Sequence, residues 1–435
     1  MGLQLVFQTV RRQLFGMRYL LFGLLMTTMI ASSAFYIAES EEDWGFYAHR
    51  KLNRLAVFTL PPEMMPLFKA EIEYLSSHAV DPDRRRYATP FEGPRHFIDL
   101  DVYGEFPYDN LPRTWNEALA KFSSVKIIDR CVRGEVPDTV LLYYPYIHFD
   151  EEVEGKNRAY NDFENLLDLN YQAFFDKRVP NDFYRPPWIY DLKEWTEKDS
   201  VFNCPGVDCC EILVTDRLSK YGIIPYYLPV IQNQLTRALE RGDRPRILRH
   251  AADIGHYIGD AHVPLHTTVN YNGQLTGQTG IHAFWESRIP ELFAEEFDLI
   301  VGKAQYIEDK DEFFWDIVMD THEKVDSVLT IEQWLRDTYP EDAQMCFEDR
   351  LSQTIQQPCR EFALAYEREM NGMVERQMRK TIFAIGSAWY TAWVDAGQPD
   401  LGEPLVSDPS HLVESDSLIR VYRRGSIYGR EHLNN

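Results

Sequence analysis

His256 and Asp260 stand four residues apart in a run that reads as helix, so their side chains leave one face a turn apart and form a two-point clamp. His282 and Glu286 repeat that spacing on a second predicted helix. His266 lies between the two pairs, just past Pro264, where the first helix should stop. Imidazole mixed with carboxylate is the donor set that borderline divalent metals such as zinc take, and positions left to water would make such a site catalytic rather than structural. A single His-x3-acid pair is ordinarily a surface ion pair. Two of them flanking a third histidine in one short segment point to metal binding.

The elements that must carry these groups read as helices. Arg244 to Ala261 delivers His256 and Asp260, and Tyr226 to Leu239 forms a periodic run before it, ending at the C-cap signal Arg241-Gly242. Downstream, helical patterns run through Phe293, from Phe313 to Val325, through Trp334, and from Glu361 to Val394, where Trp389 and Trp393 belong to a core stripe. Upstream, His49 opens a helical pattern carried by Leu52, Leu55, Ala56 and Val57, which Pro61 and Pro62 stop before a second through Phe68, Ile72 and Leu75. The chain turns at Asp81-Pro82-Asp83, continues into Arg84, Arg85 and Arg86, and reaches His96 within Arg95-His96-Phe97-Ile98-Asp99, another candidate helical segment. Trp115 to Phe122 also reads as helix. The expected fold class is all-α.

A stretch from about 131 to 214 breaks the pattern, being rich in aromatics, Asn, Asp and Pro with only short periodic pieces. Its Tyr143, Tyr144, Tyr146, Phe174, Phe175, Tyr184, Trp188 and Trp195 either pack an insertion against the core or face a substrate or membrane. From Gly397 onward Gly, Pro, Ser and Asp dominate, marking residues 401–435 as a tail. The remaining domain spans 41–400.

A chain of 435 residues with 45% hydrophobic content can bury a large core, and a net charge of −23 argues against non-specific duplex binding, which Lys and Arg drive. Arg11, Arg12 and Arg18 precede an apolar run from Tyr19 to Ala38 that ends among small residues, so residues 1–40 read as a signal peptide or an uncleaved membrane anchor. Export to the cell exterior or periplasm is the expectation, and six cysteines fit an oxidising compartment.

Together the blocks Trp44-Gly45-Phe46-Tyr47-Ala48-His49, His96-Phe97-Ile98-Asp99, His256-Tyr257-Ile258-Gly259-Asp260 and Pro264-Leu265-His266, closed by His282-x3-Glu286, resemble the superfamily that joins zinc-dependent phospholipase C with the S1/P1-type single-strand nucleases. The resemblance implies a multi-helix domain with a cleft holding three zinc ions. It implies that Asp81, His96, His256 and Asp260 hold one zinc, that Trp44, His49 and Asp260 hold a second with Asp260 bridging, and that His266, His282 and Glu286 hold the third. It further implies phosphodiester hydrolysis by metal-activated water, two metals about 3.5–4 Å apart polarising the phosphoryl group. Asp81 would be both ligand and proton acceptor, Arg84 would meet the scissile phosphate, and Asp99 would orient Arg84.

Three features depart from the family's pattern. The favoured cleavage points leave Glu41-Glu42-Asp43 ahead of Trp44, so a carboxylate there or further trimming must stand in for a terminal amine. The loop from Asn270 to Gly280 is short and the last ligand is Glu286, both phospholipase-like, whereas the spacings Trp44 to His49 and Asp81 to Arg84 are nuclease-like. The third is the insertion. The substrate stays open between single-stranded nucleic acid and phospholipid, with membrane contact through the N-terminal apolar run and no protein partner implied. The alternative is a non-catalytic exported or anchored helical binding protein stapled by zinc. A ferritin-like di-iron bundle would want Glu-x-x-His on two helices, which the His-x3-acid pattern does not supply.

Overall fold

Asp243 accepts a hydrogen bond from the backbone N–H of Arg246, a proline occupies the first turn, and the chain from Arg244 to Ala261 then winds as one helix. In the computed structural model, which describes residues 46–129, 138–143, 175, 188–191, 210–350 and 353–402, this is a central element of the helical body. The helices are α1 Tyr47–Ala56, α2 Met65–Phe68, α3 Ile72–Ser77, α4 Asp81–Arg85, α5 Trp115–Lys121, α6 Ile224–Glu240, α7 Arg244–Ala261, α8 Ile281–Ala283, α9 Ile289–Phe293, α10 Lys310–His322, α11 Val325–Thr338, α12 Arg360–Glu369 and α13 Met373–Asp395. The protein is mostly helical, as expected.

Every residue of α7 from Ala251 to Ala261 is buried, surrounded by α1, α3, α6 and α13. A helix buried all round is normally apolar all round. This one carries Asp253, His256 and Asp260, so its polar groups must find partners inside the protein. Side chains also lock its backbone in place. Trp389 of α13 donates from Nε1 to the Ala251 carbonyl at 2.9 Å, and Asn53 of α1 donates to the carbonyls of Leu75 and Ala252, each at 3.1 Å. Gln377 of α13 reaches the His262 carbonyl just past the helix end at 2.8 Å.

Close approach of α1 to α7 depends on two glycines. A Cβ on Gly255 would lie 1.9 Å from Asn53 Oδ1, and one on Gly259 would lie 2.8 Å from His49 Nδ1. Without side chains there, α1 can bring His49 against the ring of His256, with centroids 4.1 Å apart.

Three sequence expectations are corrected. The region around the insertion contributes an antiparallel four-stranded sheet, β1 Ser123–Asp129, β2 Asp138–Tyr143, β3 Trp188–Asp191 and β4 Cys210–Asp216, in the order β2-β1-β4-β3. Ser123 stands opposite Asp216 and Trp188 opposite Val214, and Val125 pairs with Val214 on the buried face. The β-branched residues of β1 and β4 favour this pleated, half-buried setting over helix. The long run from Glu361 to Val394 is two helices, because Asn371 and Gly372 adopt left-handed φ of 53° and 70° between α12 and α13. Around His96 the chain makes only a 3-10 turn, Gly93–His96, before Phe97 becomes extended and Ile98 bridges Gly222.

A hairpin of β5 Met345–Arg350 and β6 Gln353–Pro358 belongs, as Met345–Gln357, to a compact unit distinct from the helical body. Thr354 donates to Asp349 within it at 2.6 Å. Among the described residues no helix is long and apolar enough to cross a membrane, and no cysteine is free; Cys346 and Cys359 each take part in a disulfide. The apolar run 19–38, the sequence around Trp44, most of the 131–214 aromatics and the tail beyond Gly402 lie outside the described residues.

Candidate metal centre

Helix α7 presents His256 and Asp260 one turn apart, as their spacing requires, and His256 Nε2 lies 3.2 Å from Asp260 Oδ2. From α1, His49 places Nε2 3.4 Å from the other oxygen, Oδ1. The turn before Phe97 sends His96 Nδ1 to within 2.8 Å of Asp260 Oδ2 and 3.1 Å of His256 Nε2. One carboxylate therefore faces His49 through Oδ1 and both His96 and His256 through Oδ2.

His282 sits on α8, which continues as a π-helical turn, Phe284–Arg288, so Glu286 follows in a wider winding. The pair still meets, with His282 Nε2 2.8 Å from Glu286 Oε2, and His266 Nε2 approaches the same oxygen at 3.3 Å from its 3-10 turn, Pro264–Thr267. Glu286 Oε1 in turn lies 3.3 Å from His49 Nε2. Three groups able to hold a cation result, His49/His256/Asp260, Asp83/His96/His256 and His266/His282/Glu286, each with its donor atoms within 4.8 Å of one another. The first two share His256, and the contact between His49 and Glu286 joins the third to them.

Backbone carbonyls aim the imidazoles. His256 donates from Nδ1 to Ala79 O at 2.8 Å, His266 to His96 O at 2.6 Å and His282 to Tyr271 O at 3.0 Å. A carbonyl only accepts, so each neutral ring carries its proton on Nδ1 and turns the Nε2 lone pair into the cluster. This is the orientation a metal ligand needs. Behind His96, whose Nε2 is 3.9 Å from Glu92 Oε1, Glu92 takes hydrogen bonds from Tyr257 and from Arg95, the latter at 2.8 Å, and Arg85 reaches Asp253 at 3.1 Å.

Three carboxylates converge here with little water. The side chains of Asp83 and Glu286 keep 17% and 12% exposure, against 2% for Asp260 and 0% for His256. Burial pushes Asp260 up to about 8; His266 and His49 pull it down, while the Asp83 and Glu286 charges add to the rise. Burial would raise Glu286 too, but its contacts with His266, His282 and His49 hold it well below its ordinary range. Burial also lowers His256. A buried set that brings carboxylates against imidazole nitrogens is one that divalent cations would relieve. The donor chemistry and the lone-pair orientation fit a divalent metal ion.

Among the residues singled out from sequence, His49, His96, His256, Asp260, His266, His282 and Glu286 come together. Asp81 takes a different place from the one expected. Its Oδ2 lies 2.7 Å from His78 Nδ1 and its Oδ1 accepts from Arg84 at 3.0 Å, and despite burial, which pushes it up, the His78 contact and the neighbouring arginines lower its pKa. Asp83 stands in the cluster instead, its Oδ1 3.6 Å from His96 and 3.8 Å from His256. The two aspartates open α4 two residues apart, and on a helix that spacing turns side chains away from each other. Arg84 is buried against Asp81 with its guanidinium 5.7 Å from the Phe46 ring, whereas Arg86 lies 3.6 Å from Asp83. Asp99 is buried at the start of the 3-10 turn Leu100–Tyr103, where its charge acts on Tyr103. Trp44 lies outside the described residues.

Sequence reasoning passed over Asp83 and Glu92. Glu92-x3-His96 repeats the His-x3-acid spacing in reverse, and that signal was available. Asp83 had no signal to set it apart from Asp81. No family model, curated relative or solved structure matches the chain.

Proposed function

We propose that this protein is an exported zinc-dependent hydrolase of phosphodiester bonds, with a helical domain of the phospholipase C/P1-nuclease kind. The observation that carries the reading is Asp260, whose Oδ1 faces His49 and whose Oδ2 faces His96 and His256, beside a further group built on Glu286. In this reading Asp83, His96, His256 and Asp260 would hold one zinc, His49 and Asp260 a second, and His266, His282 and Glu286 a third. Bound zinc supplies Lewis acidity and brings the pKa of water towards about 7.

The chain's own residues do the rest. Carbonyl-anchored imidazoles hold their lone pairs fixed, so little reorganisation accompanies the reaction. Asp83 and Glu286 are less buried than Asp260 and His256, and solvent and substrate would reach the cluster beside them. Arg84 is engaged by Asp81 and Arg86 by Asp83, so the positive charge that recruits a phosphodiester to this acidic protein comes chiefly from the cations. The disulfide-bonded Cys346 and Cys359 support an oxidising compartment.

Zinc-loaded protein incubated with single-stranded DNA and with phosphatidylcholine vesicles, with and without chelator, tests the reading. Chelator-sensitive release of nucleotides or of phosphocholine is the expected result and identifies the substrate. Stoichiometric zinc with neither product would favour the metal-stapled binding protein.

A further inference from the structure

Outside the cluster, His322 is half-buried with both of its ring nitrogens in contacts. His322, at the last turn of α10, accepts from the Tyr108 hydroxyl at Nε2 over 2.6 Å. Its Nδ1 lies 3.0 Å from Thr267 O and 2.9 Å from Thr267 Oγ1. The Thr267 hydroxyl hydrogen is used by Pro264 O at 2.7 Å, so Thr267 can only accept from His322. The ring is thereby fixed as the neutral Nδ1–H tautomer, consistent with burial lowering its pKa.

What His322 grips is the residue after His266. The His266 turn is short, and its own carbonyl is taken by Ile98 N at 2.9 Å. The next carbonyl is taken by His322, and the following residues are tied to Asp101 through Thr268 Oγ1 at 2.8 Å and Val269 N at 3.1 Å. Ile98 and His322 therefore pin consecutive carbonyls and fix the backbone angle from which the His266 ring leaves. Tyr108 adopts a left-handed φ of 60°, a conformation costly for a side chain of its size that persists only where surrounding contacts over-determine it.

We infer that His322, braced by Tyr108, is a positioning residue for His266 and sets the affinity of the His266/His282/Glu286 group for its metal. The inference rests on the metal reading above. It is specific in that Thr267 is the chain neighbour of His266, whereas neither Thr267 nor Tyr108 adjoins a residue of the other two groups.

The test measures zinc stoichiometry and competition against a chromophoric chelator for the wild-type chain, His322→Ala, His322→Asn and Tyr108→Phe, with circular dichroism as the check on folding. The expected result is one zinc of three weakened by about ten- to hundred-fold in His322→Ala, two unchanged, and substantial recovery in His322→Asn, which restores a donor where Nδ1 stood. Tyr108→Phe should weaken the same single zinc more mildly, and it decides the matter if His322→Ala does not fold. Three unaltered equivalents, or three weakened alike, would overturn the inference. A wild-type chain that binds no zinc would remove the metal reading along with it.

Discussion

Two aspartates on one helical turn divide the work at the cluster's edge. Asp83 faces His96 and His256, while Asp81 is held by His78 and Arg84, so Asp83→Asn should release the zinc shared by His96 and His256 and reduce hydrolysis by at least about a hundred-fold, since an amide is a poor ligand and carries no charge. Asp81→Asn should keep three zinc ions and act mainly on local stability through its lost ion pair with Arg84. Metal counting on both variants checks this, and loss of zinc from Asp81→Asn alone would restore the sequence expectation. The difference shows what was legible. The His-x3-acid pairs could be read because a helix repeat fixes which side chains share a face. Between Asp81 and Asp83 nothing local discriminates, since the choice is made by α4 packing against α7, a contact between segments more than a hundred residues apart.

At the scale of elements, the site exists because α1 and α7 approach closely enough for His49 to stack on His256. Gly255→Ala would drive a methyl group into Asn53, which holds both Leu75 and Ala252, and should cost about 1–3 kcal/mol by overpacking. Gly259→Ala meets the His49 ring instead, so its effect should fall on the zinc held by His49 and Asp260 more than on stability. Denaturant melts paired with metal counts separate the two outcomes, and equal effects of both substitutions on metal content would refute this division of roles. The bounds of α7 were readable from Asp243, the proline in its first turn and Pro264, because caps and breakers act locally. The sheet was not, since aromatic, Asn- and Pro-rich sequence surrounds the alternating β-branched residues of β1 and β4 and masks their period of two. The corner between α12 and α13 was missed for the opposite reason: its apolar stripe continues across Asn371 and Gly372, and only the left-handed backbone there breaks it.

That corner also links the stability of the whole molecule to pH. Glu367 of α12 is buried beside the start of α13, the helix whose Gln377 and Trp389 hold α7. Burial pushes its carboxyl up to about 7, with the Glu375 charge adding, while Arg376 and the backbone of Glu375 and Val374 offset part of the rise. In the unfolded chain the group titrates near its ordinary 4.5. Between those values the folded state binds more protons than the unfolded state, so stability falls as pH rises. The contribution is fully present below pH 4.5 and is lost as pH passes through about 7, amounting to about 3 kcal/mol across that window. Glu367→Gln keeps the shape without the charge. Relative to wild type it should therefore be more stable at pH 8 by most of that amount and little different at pH 4. Urea melts of both proteins at the two pH values, compared as differences so that groups common to both cancel, measure this directly. A difference of the same size at pH 4 and pH 8 would show that Glu367 does not carry the linkage, and that the junction of α12 and α13 is set by packing alone.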